Sequence, residues 1–494
     1  MIESAPHLHV HDMLDVRVLR SPERPALRSA GVSWSYGELG RRSLAIAERL
    51  RALGVGRGDR VLIDAPHAPE TVAAVFAVSR LGALYAVVSD RLPEARFERV
   101  VADCTPKLLL TARDGPRAGL PWERLEKLPA EAEGPAAEEL AAVEFPSIDP
   151  VGLIYTSGST SEPKAVVSTH AQVLFAADAI QDRLRYRDDD VIFSCLPLSF
   201  DYGLYQVFLS CLGGAELILA TPEDAGPALL RRLEEESPTV LPLVPSLAGT
   251  LLTLIRRGRR APEGLRMITS SGAALSGGVA QRLRDAMPGL GVVSMFGLTE
   301  CKRVSISEPD ADVSRPGTMG RPLRGTEVLI LDDRGEPVPV GETGELVVRG
   351  GHVMAGYWNA PELTARRFRR DAFGQPLLFT GDKCRLDEDG HLYFVGRDDD
   401  LYKENGFRVS ATEVEAAALD VAGVRQAAVL PPRDGAGSVL VVSADLSADE
   451  VLRELSSRLE DFKVPRRCRV VPELPLGANG KLDRRAVAAL GGEA

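Results

Sequence analysis

The 494-residue sequence is poor in aromatics, cysteine and positive charge, and each shortage removes a class of answers. Its six cysteines (Cys104, Cys195, Cys211, Cys301, Cys384 and Cys468) show no Cys-x-x-Cys spacing. Neither a disulfide framework nor a structural zinc site is encoded, and all six read as reduced thiols. Lys and Arg number 59 against 70 Asp and Glu, a net charge of −11 with no long basic run. That balance argues against nucleic acid or an anionic membrane as partner. The most apolar stretch, residues 72–88, is broken by Ser79 and Arg80 and falls short of the ~20 residues of a spanning helix. The start, Met1-Ile2-Glu3-Ser4-Ala5-Pro6, lacks the basic segment and apolar run of a secretory signal, so a cytoplasmic location is expected.

What remains is an ordinary globular composition, 45% apolar and 26% charged, in a chain too long for one core. Up to about residue 390, apolar or β-branched runs alternate with segments of helical period, as in Arg60-Val61-Leu62-Ile63 followed by a helix over 69–81. Another pair is a helix over 93–102 and a strand over 107–110. This alternation predicts layered α/β structure. Residues 111–147, rich in Ala, Glu, Pro and Gly, read as a surface connection, and residues 327–349 as strands joined by turns. After Gly396-Arg397-Asp398-Asp399-Asp400 the pattern restarts: helix 411–419, strands 426–430 and 438–444, helix 448–459, strand 469–471. The fold class expected is therefore α/β. It comprises a large N-terminal domain of layered α/β subdomains plus a β-rich subdomain (1–397), and a small mobile α+β C-terminal domain (398–494). No fixed-period repeat is present.

The most informative segment is Ile154-Tyr155-Thr156-Ser157-Gly158-Ser159-Thr160-Ser161-Glu162-Pro163-Lys164. Hydroxyls, unhindered backbone N–H groups and a lysine after an apolar strand suit phosphate oxygens. On composition alone a solvated Ser/Thr turn fits equally well, because this is not the usual Gly-x-x-x-x-Gly-Lys-Ser/Thr loop. The stretch resembles, however, the phosphate loop of the adenylate-forming ligase superfamily, which contains acyl-CoA synthetases, nonribosomal peptide synthetase adenylation domains and luciferase relatives. Further motifs follow in the family's order, from Trp34-Ser35-Tyr36-Gly37-Glu38-Leu39 to Asn479-Gly480-Lys481.

The resemblance implies ATP and Mg²⁺ as cofactors and assigns roles. Thr156, Ser157, Gly158, Ser159, Thr160 and Lys164 would wrap the phosphates. In Met295-Phe296-Gly297-Leu298-Thr299-Glu300, Phe296 and Gly297 would face adenine, Thr299 a phosphate, and Glu300 the Mg²⁺, a hard cation suited to carboxylate oxygen. Gly272, Ala273 and Ala274 would run along the adenine. Asp382, in Phe379-Thr380-Gly381-Asp382, would take the ribose hydroxyls beside Arg397. Lys481 would neutralise the reacting carboxylate and α-phosphate. Asp399 would be the hinge about which the small domain turns between two half-reactions, bringing Lys403, Asn405 and Gly406 to the thiol tunnel.

The segment Leu196-Pro197-Leu198-Ser199-Phe200-Asp201-Tyr202-Gly203-Leu204-Tyr205 resembles the family's acid-binding stretch. In amino-acid-activating members an Asp at the place of Asp201 pairs with the α-ammonium, which favours an amino acid. Tyr202, Tyr205, Ile268, Ser270, Met295, Arg303 and Val304 would surround the side chain. Arg303 reads either as a bidentate clamp for a second carboxylate or as a structural ion pair. Ser161 and Ala165 stand where the family usually has glycine. Thirteen residues follow Lys481, so a free-standing acyl or peptidyl carrier protein is the expected thiol donor, with coenzyme A the alternative.

The function expected is activation of a small carboxylic acid, with an amino acid favoured, and its transfer to a carrier. The alternatives are an acyl-CoA ligase for a short or aromatic acid, a luciferase-like oxygenase and a non-catalytic nucleotide-binding scaffold. His7, His9 and His11 alternate near the start and read as a solvated arm rather than a metal site.

Overall fold

Parallel strands need both faces covered by helices, and the alternation of apolar strands with helical segments supplies this twice. The computed structural model describes residues 8–115, 117–131, 144–156, 164–258, 260–397, 401–404, 407–432, 437–459, 463–477 and 481–491. One sheet runs in the order Arg321–Pro322, Ser305–Ile306, Gly291–Phe296, Met267–Ser270, Val240–Leu243, Val191–Ser194, Glu216–Leu219, Pro25–Ser29, Val32–Ser35. Its interior pairs are parallel and its edges antiparallel. A second sheet, built around Leu84–Ser89 and Arg60–Ala65, carries Pro150–Thr156 and Lys164–Thr169 as an antiparallel pair toward one edge. A third, antiparallel sheet of Thr326–Leu331, Gly344–Gly350, Phe368–Arg370, Pro376–Leu386 and Leu392–Arg397 is the expected β-rich unit. Beyond it, Val424–Leu430, Val439–Ala444 and Arg467–Val471 pack against the helices Ala411–Leu419 and Ala448–Ser456 around a core of their own. No described helix is long and apolar enough to cross a membrane.

The fold aims several connections at one edge. Phe296, Ser270 and Ser194 end parallel strands of the first sheet, and the segments that follow them carry Glu300, Gly272 and Asp201. Crevices outside the carboxyl ends of such strands are the usual ligand sites of α/β sheets. Asp201 opens the helix Asp201–Gly213, whose first turn sits directly on the preceding loop. A β-carbon on Gly203 would fall 2.3 Å from the Pro197 carbonyl oxygen and 2.5 Å from that of Leu196. Only glycine allows that approach, and it fixes where Asp201 stands.

Three segments depart from the sequence expectation. Residues 111–147 are more than a surface connection, since Trp122–Arg124 adds a parallel edge strand to Leu108–Thr111. The helix expected over 448–459 ends at Ser456. His7 lies outside the described residues, while His9 and His11 are packed rather than solvated, with side chains 15% and 14% exposed. Val10, Met13 and Leu14 are buried in the main core and draw the segment inward. His9 Nε2 donates to the Phe145 carbonyl at 2.8 Å, and His11 Nδ1 meets Ser79 Oγ at 3.0 Å. His9, His11 and Asp12 stand with one ligand atom each within 4.8 Å of the others, the two rings stacked in parallel at 5.3 Å. The cluster is a packing clasp.

Replacing Gly203 by Ala forces a β-carbon against backbone that has no rotamer to move. We expect G203A to lose about 1–3 kcal/mol or more in urea unfolding. An unchanged midpoint would show that the loop yields.

Candidate active site

The antiparallel register pairs Asp382 with Arg397 across the Pro376–Leu386 and Leu392–Arg397 strands, and Arg397 Nε donates to Asp382 Oδ1 at 2.7 Å. Asp382 Oδ2 is buried with no partner among the described residues. Burial raises the Asp382 carboxyl to about 6, against the lowering pull of Arg397. An orphaned carboxylate oxygen of this kind suits a pair of ligand hydroxyls.

After Phe296, whose ring lies 5.6 Å from that of Phe394, the chain turns tightly enough that a β-carbon on Gly297 would meet the Lys302 carbonyl at 2.1 Å. The turn presents Thr299 and Glu300. Tyr357 donates to Glu300 Oε1 at 2.6 Å, and burial together with that carboxylate pushes the Tyr357 phenol upward. Tyr357 also pairs with Val166 in the strand Lys164–Thr169, so Glu300 is tied to the strand that follows the segment expected to wrap phosphates.

Of that segment, Thr156 and Lys164 face each other in the antiparallel pair, with Thr156 Oγ1 donating to the Lys164 carbonyl at 3.4 Å. Ser157, Gly158, Ser159, Thr160 and Ser161 lie outside the described residues, as do Asp399, Asn405 and Gly406 and the side chain of Lys403. Ala165 is buried in extended strand, a conformation that suits alanine without strain.

Asp201, Lys302 and Arg303 are all nearly sealed from solvent, at 3%, 1% and 5% exposure. Among the described residues Asp201 accepts no hydrogen bond and forms no ion pair. The Arg303 guanidinium lies 4.7 Å from the centroid of the Tyr202 ring and, among the described residues, donates only to the Lys302 carbonyl, at 2.6 Å. The Tyr202 hydroxyl is fixed on the Thr269 carbonyl at 2.9 Å, whereas the Tyr205 hydroxyl and Ser270 Oγ are buried without partners among the described residues. Lys302 donates to the Thr299 carbonyl at 3.0 Å. Burial lowers its ammonium to about 8, opposed by Asp201 and Glu300. Its φ of +61° is a left-handed backbone that costs about 1–3 kcal/mol for a non-glycine residue. Lys481 reaches this crevice from the small domain, with Nζ 5.2 Å from the Phe200 ring centroid, and burial lowers its ammonium against the pull of Asp201. A β-carbon on Gly272 would lie 3.1 Å from Lys481 Cε.

The structure thus brings Asp201, Tyr202, Tyr205, Arg303 and Lys481 together, with Glu300 acting on Lys302 and in turn on Asp382. Ile268 and Met295 are buried in the main core. Val304 instead packs with Cys301, Ile330 and Leu346 under the β-rich sheet. Lys302 is absent from the sequence-derived set. Two adjacent basic residues directly after Thr299-Glu300-Cys301 are the available signal, but only burial distinguishes them from a solvated pair.

Comparison with known proteins identifies the family. The family model described as AMP-binding enzyme matches residues 14–358, and that of the AMP-binding enzyme C-terminal domain matches residues 413–481. The dimodular nonribosomal peptide synthase of Bacillus subtilis (strain 168) is 30% identical over 97% of this chain, which spans 21% of that protein. The structure titled as VinN in complex with L-aspartate is 40% identical, with 79% of this chain and 100% of that chain aligned at a TM-score of 0.71. AB3403, a four-domain nonribosomal peptide synthetase bound to AMP and glycine, is 27% identical over 97% of this chain and 36% of its own, at 0.85. With the two family models accounting for most of its length, the chain belongs to the AMP-binding enzyme family.

Proposed function

We propose that this chain activates an amino acid bearing a second carboxylate, forming its adenylate from ATP with release of pyrophosphate. The acyl group then passes to the phosphopantetheine thiol of a carrier protein, the carbon–sulfur bond forming as the bond from the acyl carbon to the phosphate oxygen breaks, with AMP and the thiol proton released. The observation that carries the substrate class is the buried charge set of Asp201, Lys302 and Arg303, none of which has an ion-pair partner among the described residues. Charges held this far from water need ligand counter-charges. A dicarboxylic amino acid supplies them: its ammonium meets Asp201, and its second carboxylate meets Lys302 and Arg303. VinN, solved with L-aspartate, supports the same class. An acid without an amine would leave Asp201 with no directly bonded cation, only the longer-range pull of Lys302 and Lys481.

In this reading Lys481 offsets charge on the reacting carboxylate and the α-phosphate while the carboxylate oxygen attacks phosphorus and the bond to the bridging oxygen breaks. Asp382 and Arg397 hold the ribose. Phe296, Gly297 and the Gly272–Ala274 turn hold the adenine. Thr156, Lys164 and the Ser157–Thr160 loop, with Thr299, hold the phosphates. Glu300 fits Mg²⁺: it is an oxygen donor half open to the crevice and steadied by Tyr357, and magnesium binds through one or two carboxylates plus phosphates. When bound, the ion neutralises phosphate charge. Asp399 is the hinge, and Lys403, Asn405 and Gly406 serve the thiol step.

ATP–pyrophosphate exchange against a panel of acids tests this reading. Exchange is expected with dicarboxylic amino acids such as L-aspartate and to be lost in D201A. R303A and K302M are expected to raise KM for L-aspartate about ten- to hundredfold, the loss of one charged hydrogen bond. Exchange with acids lacking an amine would overturn the reading and make coenzyme A the thiol to test. The pH profile adds a separate check. Lys302 holds its proton below about 8, so KM for L-aspartate should rise as pH climbs through that value, and K302R should flatten the rise. Asp382 is ionised above about 6, so KM for ATP should rise as pH falls through that value, a limb absent from D382N.

A further inference from the structure

Two helices from opposite sides of the domain boundary meet at their ends, and each supplies the group the other lacks. Gly277–Ala286 belongs to the large domain and follows directly on the Ser271–Leu275 turn; Ala411–Leu419 belongs to the small domain. A helix N-terminus leaves N–H groups unpaired and carries partial positive charge, while a C-terminus leaves carbonyls and partial negative charge. At the first helix, the Ser276 side chain takes the Val279 N–H from within the same domain. The neighbouring Gly278 N–H is taken by Asp420 Oδ1 of the small domain, at 2.9 Å. In return, Arg282 Nη2 of the large domain donates to the Leu419 carbonyl at the end of the second helix, at 3.1 Å. The charges suit both dipoles: a carboxylate at the positive end and a guanidinium at the negative end.

The contact also has a steric signature. A β-carbon on Gly278 would lie 2.3 Å from Asp420 Oδ1, so any side chain there would expel the carboxylate. Backbone strain plays no part, since Gly278 is not in the left-handed region. The capped helix begins at the turn whose Gly272 lies against Lys481, so the same short segment touches both the small domain's lysine and its anchor.

We propose that Asp420 is a positioning residue: by capping the Gly277–Ala286 helix across the boundary, with Arg282 answering at the Ala411–Leu419 end, it latches the small domain in the orientation that puts Lys481 in the crevice. The proposal rests on the two-step adenylation reading above and adds what holds the first step's orientation. Asp420 acts through the placement of Lys481 and does not touch substrate. Release of this latch is then part of turning the small domain toward the thiol step.

The test uses the full chain and a reversible lock. On paired substitution, the β-carbon at position 278 would stand 3.5 Å from that of residue 420, within the about 3.5–4.5 Å range of a disulfide. G278C/D420C should therefore crosslink under mild oxidation without any ligand, and the G278C single variant should not. No crosslink would overturn the contact. D420A and G278A should each lower ATP–pyrophosphate exchange with L-aspartate about three- to tenfold, the weight of one helix cap. Combined, they should lose no more than either alone. Oxidised G278C/D420C should recover exchange to at least the wild-type rate, and reduction with dithiothreitol should return it to the D420A level. A merely structural contact would not make exchange follow the redox state, and equal rates in both states would overturn the latch. Undiminished exchange in K481A, or none by the wild type with L-aspartate, would instead sink the adenylation reading, because crosslinking is scored without substrate.

Discussion

Everything in the crevice depends on keeping charged groups out of water before a ligand arrives. An isolated buried ion is costly, and the chain holds Asp201, Lys302 and Arg303 near one another with no direct ion pair to any of them among the described residues, opposite charges acting on them only at longer range. Packing is what enforces it. The helix Asp201–Gly213 can sit directly on the Leu196–Pro197 backbone because Gly203 puts no side chain between them. Tyr202 is fixed on Thr269 and offers its ring to Arg303, and Lys302 is confined to a left-handed backbone beside Gly297. Charges placed in advance need no reorganisation when the ligand arrives, which is the basis of electrostatic preorganisation.

The side of the site proposed for the nucleotide follows the same logic in milder form. Asp382 is buried, satisfied at one oxygen by Arg397 and orphaned at the other among the described residues. Glu300 is steadied by Tyr357 from a strand that pairs with the one following the segment expected to wrap phosphates. The turn through Gly272 joins these parts to the small domain, since one end lies against Lys481 and the other opens the helix that Asp420 caps. In the proposed reading, substrate charge, nucleotide position and domain orientation are therefore linked through backbone that is only a few residues long.

Much of this is legible in the sequence, for identifiable reasons. The strands, the turn after Phe296 that presents Glu300, and Asp382 beside Arg397 are each local in sequence or fixed by register, so residue order together with the family resemblance points to them. The three-residue strand Trp122–Arg124 escapes a sequence reading because periodicity has no purchase on so short an element. The packed state of His9 and His11 escapes it because their partners, Phe145 and Ser79, are far away in sequence. Lys302 is hidden for a related cause: lysine is rarely fully buried, and nothing within Cys301-Lys302-Arg303 announces that the segment folds under Gly297. The cap between Asp420 and Gly278 links residues 142 positions apart and has no sequence signature.

The central claim is that the buried cations beside Asp201 are there for a second carboxylate. A crystal structure of the protein with a non-hydrolysable aspartyl-adenylate analogue tests it most directly. The account predicts the ammonium within hydrogen-bond distance of Asp201 and the free carboxylate on Lys302 and Arg303. A free carboxylate directed to solvent, with Lys302 still bonded only to the Thr299 carbonyl and Arg303 only to that of Lys302, would contradict it.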